Sequence, residues 1–87
     1  MINYKSDSQL LKVLGHPVRL RIVENLIEEE CNVNKIINIL SLPQSTVSQH
    51  LGILKAYGIV AARKEGVKTC YRVVDNKVKR IIRELNK

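Results

Sequence analysis

The sequence predicts a mainly α (α+β) domain of about five helices, with one two-stranded hairpin placed before the last helix. Three observations carry that expectation. Apolar residues recur at helical spacing through most of the chain. The period changes once, after Gly58, to two short runs around Glu65-Gly66-Val67 that suit strands joined by a glycine turn. The chain has 87 residues, 45% of them apolar, which is enough for one packed domain spanning 1–87 and too little for two.

The elements follow in order. Ser6-Asp7-Ser8-Gln9 has the spacing of a capping box, which starts a first helix at about residues 8–15 carrying Leu10, Leu11 and Leu14. Gly15 suits a helix C-cap, and Pro17 suits the first turn of the next helix. Val18, Ile22, Val23, Leu26 and Ile27 then keep helical spacing through Glu29. Three glutamates at Glu28-Glu29-Glu30 oppose the dipole at that helix's C-terminus, so it should stop there. Asn32 is a candidate cap for a third helix bearing Val33, Ile36, Ile37 and Leu40. Ser41-Leu42 is a tight connection, Pro43 opens a fourth helix with Val47, Leu51 and Leu54 in one stripe, and Gly58 closes it. Two helices joined by about three residues have the spacing of a helix-turn-helix. Beyond it, Ile59–Lys64 and Lys68–Val74 read as strands. Asp75 or Asn76 caps a last helix at about 76–86, whose apolar face is Val78, Ile81, Ile82 and Leu85.

Composition bounds the function. Tyr4, Tyr57 and Tyr71 are the only aromatics, so the core must be built from Ile, Leu and Val. A domain this small buries only about 60–65% of its unfolded surface, so a subunit partner would help to stabilise it. No apolar run approaches the roughly 20 residues of a membrane span. Lys5, Asp7, Lys12 and Arg19 are unlike a signal peptide, so a soluble, cytoplasmic protein without a membrane partner is expected. Cys31 and Cys70 lie 39 positions apart, do not make a disulfide scaffold, and cannot alone supply a four-ligand zinc site. No acid–base pair, Ser–His arrangement or glycine-rich phosphate loop points to an enzyme.

Charge is more informative. Fifteen basic and eight acidic residues give +7, but residues 1–41 balance to zero and residues 60–87 carry +6. A positive field at one end of the domain suits a polyanion; a merely solubilising surface is the plainer alternative. No acidic residue lies between Leu42 and Lys64. At about 100° per residue, turning Val47, Leu51 and Leu54 inward puts Ser45, Gln49, Gly52 and Ala56 outward, flanked by Thr46 and Ser48. Gln44, Ser45, Thr46, Ser48 and Gln49 can exchange hydrogen bonds with base edges in a DNA groove. Arg63, Lys64, Lys68 and Arg72 on the strands suit phosphates.

The run LKVLGHPVRLRIVENL, followed by LSLPQSTVSQHLGILKAYGIVAARKEGVKTCYRV, resembles the ArsR (SmtB-like) family of winged helix-turn-helix repressors over about residues 8–85. LPQSTVSQHL with the following L-x-x-x-G-I-V step is its most specific part. The resemblance implies a homodimer on a near-palindromic double-stranded DNA operator. The interface would then be formed by the terminal helices through Leu10, Leu11, Leu14, Val78, Ile81, Ile82 and Leu85.

Metal-sensing members of that family carry ELCVCDL before the recognition helix. Here the stretch is Glu30-Cys31-Asn32-Val33-Asn34-Lys35-Ile36, with asparagines where the cysteine ligands stand. The last helix holds no histidine for the other common zinc site. Thiol-switch members pair a cysteine of the second helix with one of the last, whereas Cys31 falls in a loop and Cys70 in a strand. His16 reads as structural, and His50 as packed or phosphate-facing. The expectation is therefore a DNA-binding repressor with no metal site or cofactor. The alternatives are a metal- or thiol-responsive repressor with a non-standard site, and a winged-helix protein-interaction module.

Overall fold

A computed structural model describes residues 1–31 and 33–87. The elements run α1 (Tyr4–Leu14), α2 (Pro17–Glu28), α3 (Val33–Leu40), α4 (Gln44–Ala56), β1 (Val60–Glu65), β2 (Lys68–Val73) and α5 (Asn76–Leu85). This is the winged helix-turn-helix arrangement expected from the pattern. The capping role expected of Asn32 lies outside the described residues.

Helix α1 begins one turn earlier than its capping-box spacing suggests. Asn3 rather than Ser6 is the cap: its Oδ1 accepts from the Ser6 N–H at 3.1 Å, and Asp7 accepts from the Asn3 N–H at 3.0 Å. Asp7 also accepts from Lys77 Nζ at 2.9 Å, which joins the start of α1 to α5. That hydrogen bond, with help from the Asn3 N–H and against a little burial, holds the Asp7 carboxyl below its ordinary value. His16 caps α2, its Nδ1 accepting from the Val18 N–H at 3.2 Å, and Pro17 takes the first helical position.

Helix α2 is the centre of the domain and packs on α1, α3, α4 and β2. Ile22, Val23 and Leu26 are fully buried on it, and Ile36, Val47, Leu51, Leu54 and Val78 close around them. The core is aliphatic, as the lack of Phe and Trp requires. Helix α4 ends in a Schellman motif: Gly58 has a φ of 74°, its N–H donates to Lys55 O, and the Ile59 N–H donates to Leu54 O. That turn sends the chain into β1. Strands β1 and β2 pair antiparallel from Val60↔Val73 to Glu65↔Lys68, leaving Gly66-Val67 as a two-residue turn with Gly66 at a φ of 64°.

The cysteines depart from the expectation, drawn from their spacing, that they make no disulfide scaffold. Cys31 and Cys70 are joined as a disulfide across 39 residues. Spacing could not show this, because the pairing depends on β2 folding back beside the turn that follows α2. The Cys31 N–H donates to Tyr71 O at 3.0 Å and fixes that approach. A single bridge still leaves the aliphatic core as the main source of stability.

Candidate nucleic-acid interface

Helix α4 is set on the core by Val47, Leu51 and Leu54, which are fully buried. Its opposite face is thereby fixed. Gln44, Ser45, Ser48 and Gln49 are exposed and Thr46 is half-buried. Their side chains make no hydrogen bond to any other described residue, so their donors and acceptors face outward unoccupied. The helix starts at Pro43, which offers no side-chain cap, so the first backbone N–H groups are open to a ligand as well. Gly52 lies on the same exposed face, and a Cβ added there would meet nothing within 4 Å. Packing within the chain does not require glycine at that position.

The turn into α4 is tight. Ser41 sits at a φ of 54°, with its N–H donating to Ile37 O at 2.9 Å. Behind α4, a contact that spacing could not reveal ties the helix to the α1–α2 junction. Arg19 donates from Nε to His50 Nδ1 at 3.3 Å and from Nη1 to Val13 O at 3.1 Å. The His16 and His50 rings lie 4.7 Å apart, between centroids. Burial, followed by the charges of His16 and Arg19, holds His50 below its ordinary value, which favours the neutral ring that can accept that bond. The only hints in the sequence were that His16 precedes Pro17 at the break between two helices and that His50 sits beside an apolar stripe.

The wing places its cations unequally. By register, Arg63, Lys68 and Arg72 share one face of the hairpin with Cys70, while Lys64 lies on the other. All four cationic residues are exposed. Arg63 forms an ion pair with Glu65, with Nε at 3.0 Å from Oε1, and Nη2 comes within 4.0 Å of Cys70 Sγ. Lys64, Lys68 and Arg72 have no ion-pair partner among the described residues. Glu65 is thus the one acidic side chain of the hairpin, and its charge is matched by Arg63.

Cys31, Cys70 and Glu65 bring their donor atoms within 4.8 Å of one another. With the sulfurs bonded to each other, no thiolate is left there to hold a metal. The residues named for a subunit interface divide into three groups. Leu14, Val78 and Ile82 are buried in the chain's own core, Leu10 and Ile81 are half-buried, and Leu11 and Leu85 are 58% and 64% exposed. Ile2 and Tyr4, both exposed, line one surface depression with Leu10, Leu11 and Ile81. No helix among the described residues is long and apolar enough to cross a membrane.

A short helix-turn-helix with an open polar face on its second helix, followed by a cationic hairpin, has the make-up of a winged helix-turn-helix DNA-binding transcriptional regulator. Comparison with known proteins agrees. Residues 16–62 match the bacterial regulatory protein, arsR family. An uncharacterized HTH-type transcriptional regulator of Methanocaldococcus jannaschii is 46% identical over 84 residues, covering 95% of this chain and 94% of that protein. The transcriptional repressor PagR of Bacillus anthracis is 45% identical over 87 residues, covering 98% and 86%. Its crystal structure superposes with a TM-score of 0.84 over 94% of each chain. HlyU from Vibrio cholerae superposes with a TM-score of 0.90 at 34% identity, over 97% of this chain and 91% of that one. The chain belongs to the arsR family of transcriptional regulators.

Proposed function

We propose that the protein is a repressor that binds a near-palindromic double-stranded DNA operator as a homodimer, in the cytoplasm and without a resident metal or cofactor. The observation that carries this is the α4 face: five amides and hydroxyls unoccupied by the protein, beside a hairpin whose only carboxylate is already paired. Gln44, Ser45, Thr46, Ser48 and Gln49 read base edges, with Gln suited to adenine. Arg63, Lys64, Lys68 and Arg72 hold phosphates, which fixes register without reading sequence.

The homodimer rests on the patch formed by Ile2, Tyr4 and Leu11, with Leu10 and Ile81 at its base, and on exposed Leu85 of the last helix. A second copy covers it, since a small aliphatic core gains most from burying what it leaves exposed. Two-fold symmetry then sets the recognition helices about one DNA turn, roughly 34 Å, apart. That PagR is named a transcriptional repressor supports the sign of regulation.

Selection of bound sequences from random DNA tests the proposal. The expected product is an inverted repeat with half-sites about 10 base pairs apart, bound by a species that sediments as a dimer. Enrichment of no sequence, or a monomer at micromolar concentration, contradicts it. A protein-interaction module would need acidic or apolar side chains on the outward face of α4, where Gln and Ser stand.

A further inference from the structure

The disulfide sits where the two halves of the proposed DNA surface meet. Cys31 lies in the turn between α2 and α3, at the entry to the helix-turn-helix; Cys70 is in β2, at the centre of the wing. Cys31 is exposed, whereas Cys70 is 1% accessible. The chain contains no third cysteine, so neither thiol has another resolving partner within it. Cys31 also holds a φ of 68°, a conformation uncommon for a residue with a side chain, and the Tyr71 hydrogen bond and the bridge keep it there. Arg63, a wing cation, places Nη2 within 4.0 Å of the Cys70 sulfur.

We propose that Cys31 and Cys70 form a reversible thiol–disulfide site, oxidised by hydroperoxides and reopened by dithiols, that locks the wing to the helix-turn-helix and thereby raises operator affinity. In oxidation the exposed Cys31 thiolate attacks the hydroperoxide. The O–O bond breaks, the distal oxygen stays on sulfur as a sulfenic acid, and the other leaves as an alcohol or water after taking a proton. Cys70 sulfur then displaces the hydroxyl, which departs as water with the Cys70 proton. Two thiols are oxidised by two electrons and one peroxide is reduced. In reopening, a dithiol attacks the accessible Cys31 sulfur, and Cys70 leaves as a thiolate facing the Arg63 guanidinium before taking a proton. The second thiol of the reagent then releases Cys31 and completes the reagent's own disulfide.

The effect on DNA follows from preorganisation. With the bridge closed, helix and wing are presented in one fixed relation. With it open, ordering the wing becomes part of the cost of binding. A regulator that works on DNA also works among reducing thiol pools, where a disulfide is more often a sensor than a staple. This inference rests on the DNA-binding function proposed above.

The test uses full-length protein with a chelator present, either treated with hydrogen peroxide or reduced with dithiothreitol. Free thiols are counted by maleimide labelling, operator binding is followed by fluorescence anisotropy, and amide hydrogen exchange is followed over residues 60–73. Peroxide is expected to remove both free thiols and dithiothreitol to restore them. The oxidised form should bind the selected operator about three- to tenfold more tightly, with slower exchange in the wing. Cys31→Ser, at an exposed position that tolerates the change, should behave as the reduced protein under both conditions, and Cys70→Ala should match it. Failure of peroxide to close the bridge overturns the proposal, as does a bridge that dithiothreitol cannot open, which marks a structural staple. Equal affinity and equal exchange in the two forms overturn it too. If neither form binds DNA, the proposed function falls instead, and the redox site is decided by thiol counts and exchange.

Discussion

Helix α4 turns three fully buried aliphatics inward and its amides and hydroxyls outward, whereas residues 63–68 of the β1–β2 hairpin are all exposed, and three of those six are cationic. The helix is positioned by packing, so each outward side chain has one direction and can be matched to one base edge. The hairpin tip is positioned by its own ladder and, further back, by the Cys31–Cys70 bridge. Long cations there can follow a phosphate backbone without being aimed. The difference is what a division between reading and gripping requires, and it can be probed from both sides.

The largest effect should come from undermining the helix. Leu51→Ala removes a fully buried side chain beneath the proposed reading face and should cost about 2–5 kcal/mol, measured by urea unfolding. Val67→Ala at the exposed hairpin turn should leave the midpoint nearly unchanged. Comparable losses at both sites would mean that the wing is packed as firmly as the helix.

Gly52→Ala separates folding from binding on α4. The added methyl meets nothing within the chain, so unfolding should become harder by up to about 1 kcal/mol. Operator affinity should fall nonetheless, because the helix face then stands further from the groove. Unchanged affinity in a binding titration would remove close approach as the reason for glycine at that position.

On the wing, Glu65 holds Arg63 back. Glu65→Gln should free that cation, strengthen binding to operator and random DNA alike by a few-fold, and steepen the dependence of log affinity on log salt by roughly one unit per subunit. A gain confined to the operator would place Glu65 in sequence reading instead.

The smallest effect concerns pH. His50 is held below its ordinary value of 6.5, so the unfolded chain binds its proton more readily than the folded one. Stability from this group is complete above about 6.5 and is lost as pH falls through the lowered folded value. Thermal unfolding should show a modest decline over that window, and His50→Gln should flatten it. Arg19 loses its acceptor as His50 gains a proton, so the decline reports on the contact that seats α4.

Much of this was legible in sequence because each helix carries its own signals. Pro17, Pro43, Gly58 and Asp75 mark boundaries through backbone chemistry that acts locally, and the change of period after Gly58 marks the hairpin. Signals shared between nearby residues were less decisive: Asn3 and Ser6 are both competent caps, and Asn3 prevails because Asp7 can close the box behind it. Helical spacing shows that Leu14, Val78 and Ile82 are apolar but does not say which neighbour covers them. In the fold they face the chain's own core, leaving Leu11 and Leu85 outside. The Cys31–Cys70 bridge and the His16–His50 contact were not legible, because each joins distant segments that meet only once α2 has gathered them.

The division of roles is tested most directly by measuring Gln49→Ala and Lys68→Ala on selected operator and random DNA across a range of salt. Lys68→Ala should weaken both DNAs alike and flatten the salt slope by about 0.9 per neutralised phosphate, or nearly one unit per subunit. Gln49→Ala should cost about 1–3 kcal/mol per lost base contact on the operator, with little effect on random DNA and an unchanged slope. If the two substitutions behave alike on both DNAs, the contrast between a reading helix and a gripping wing is wrong.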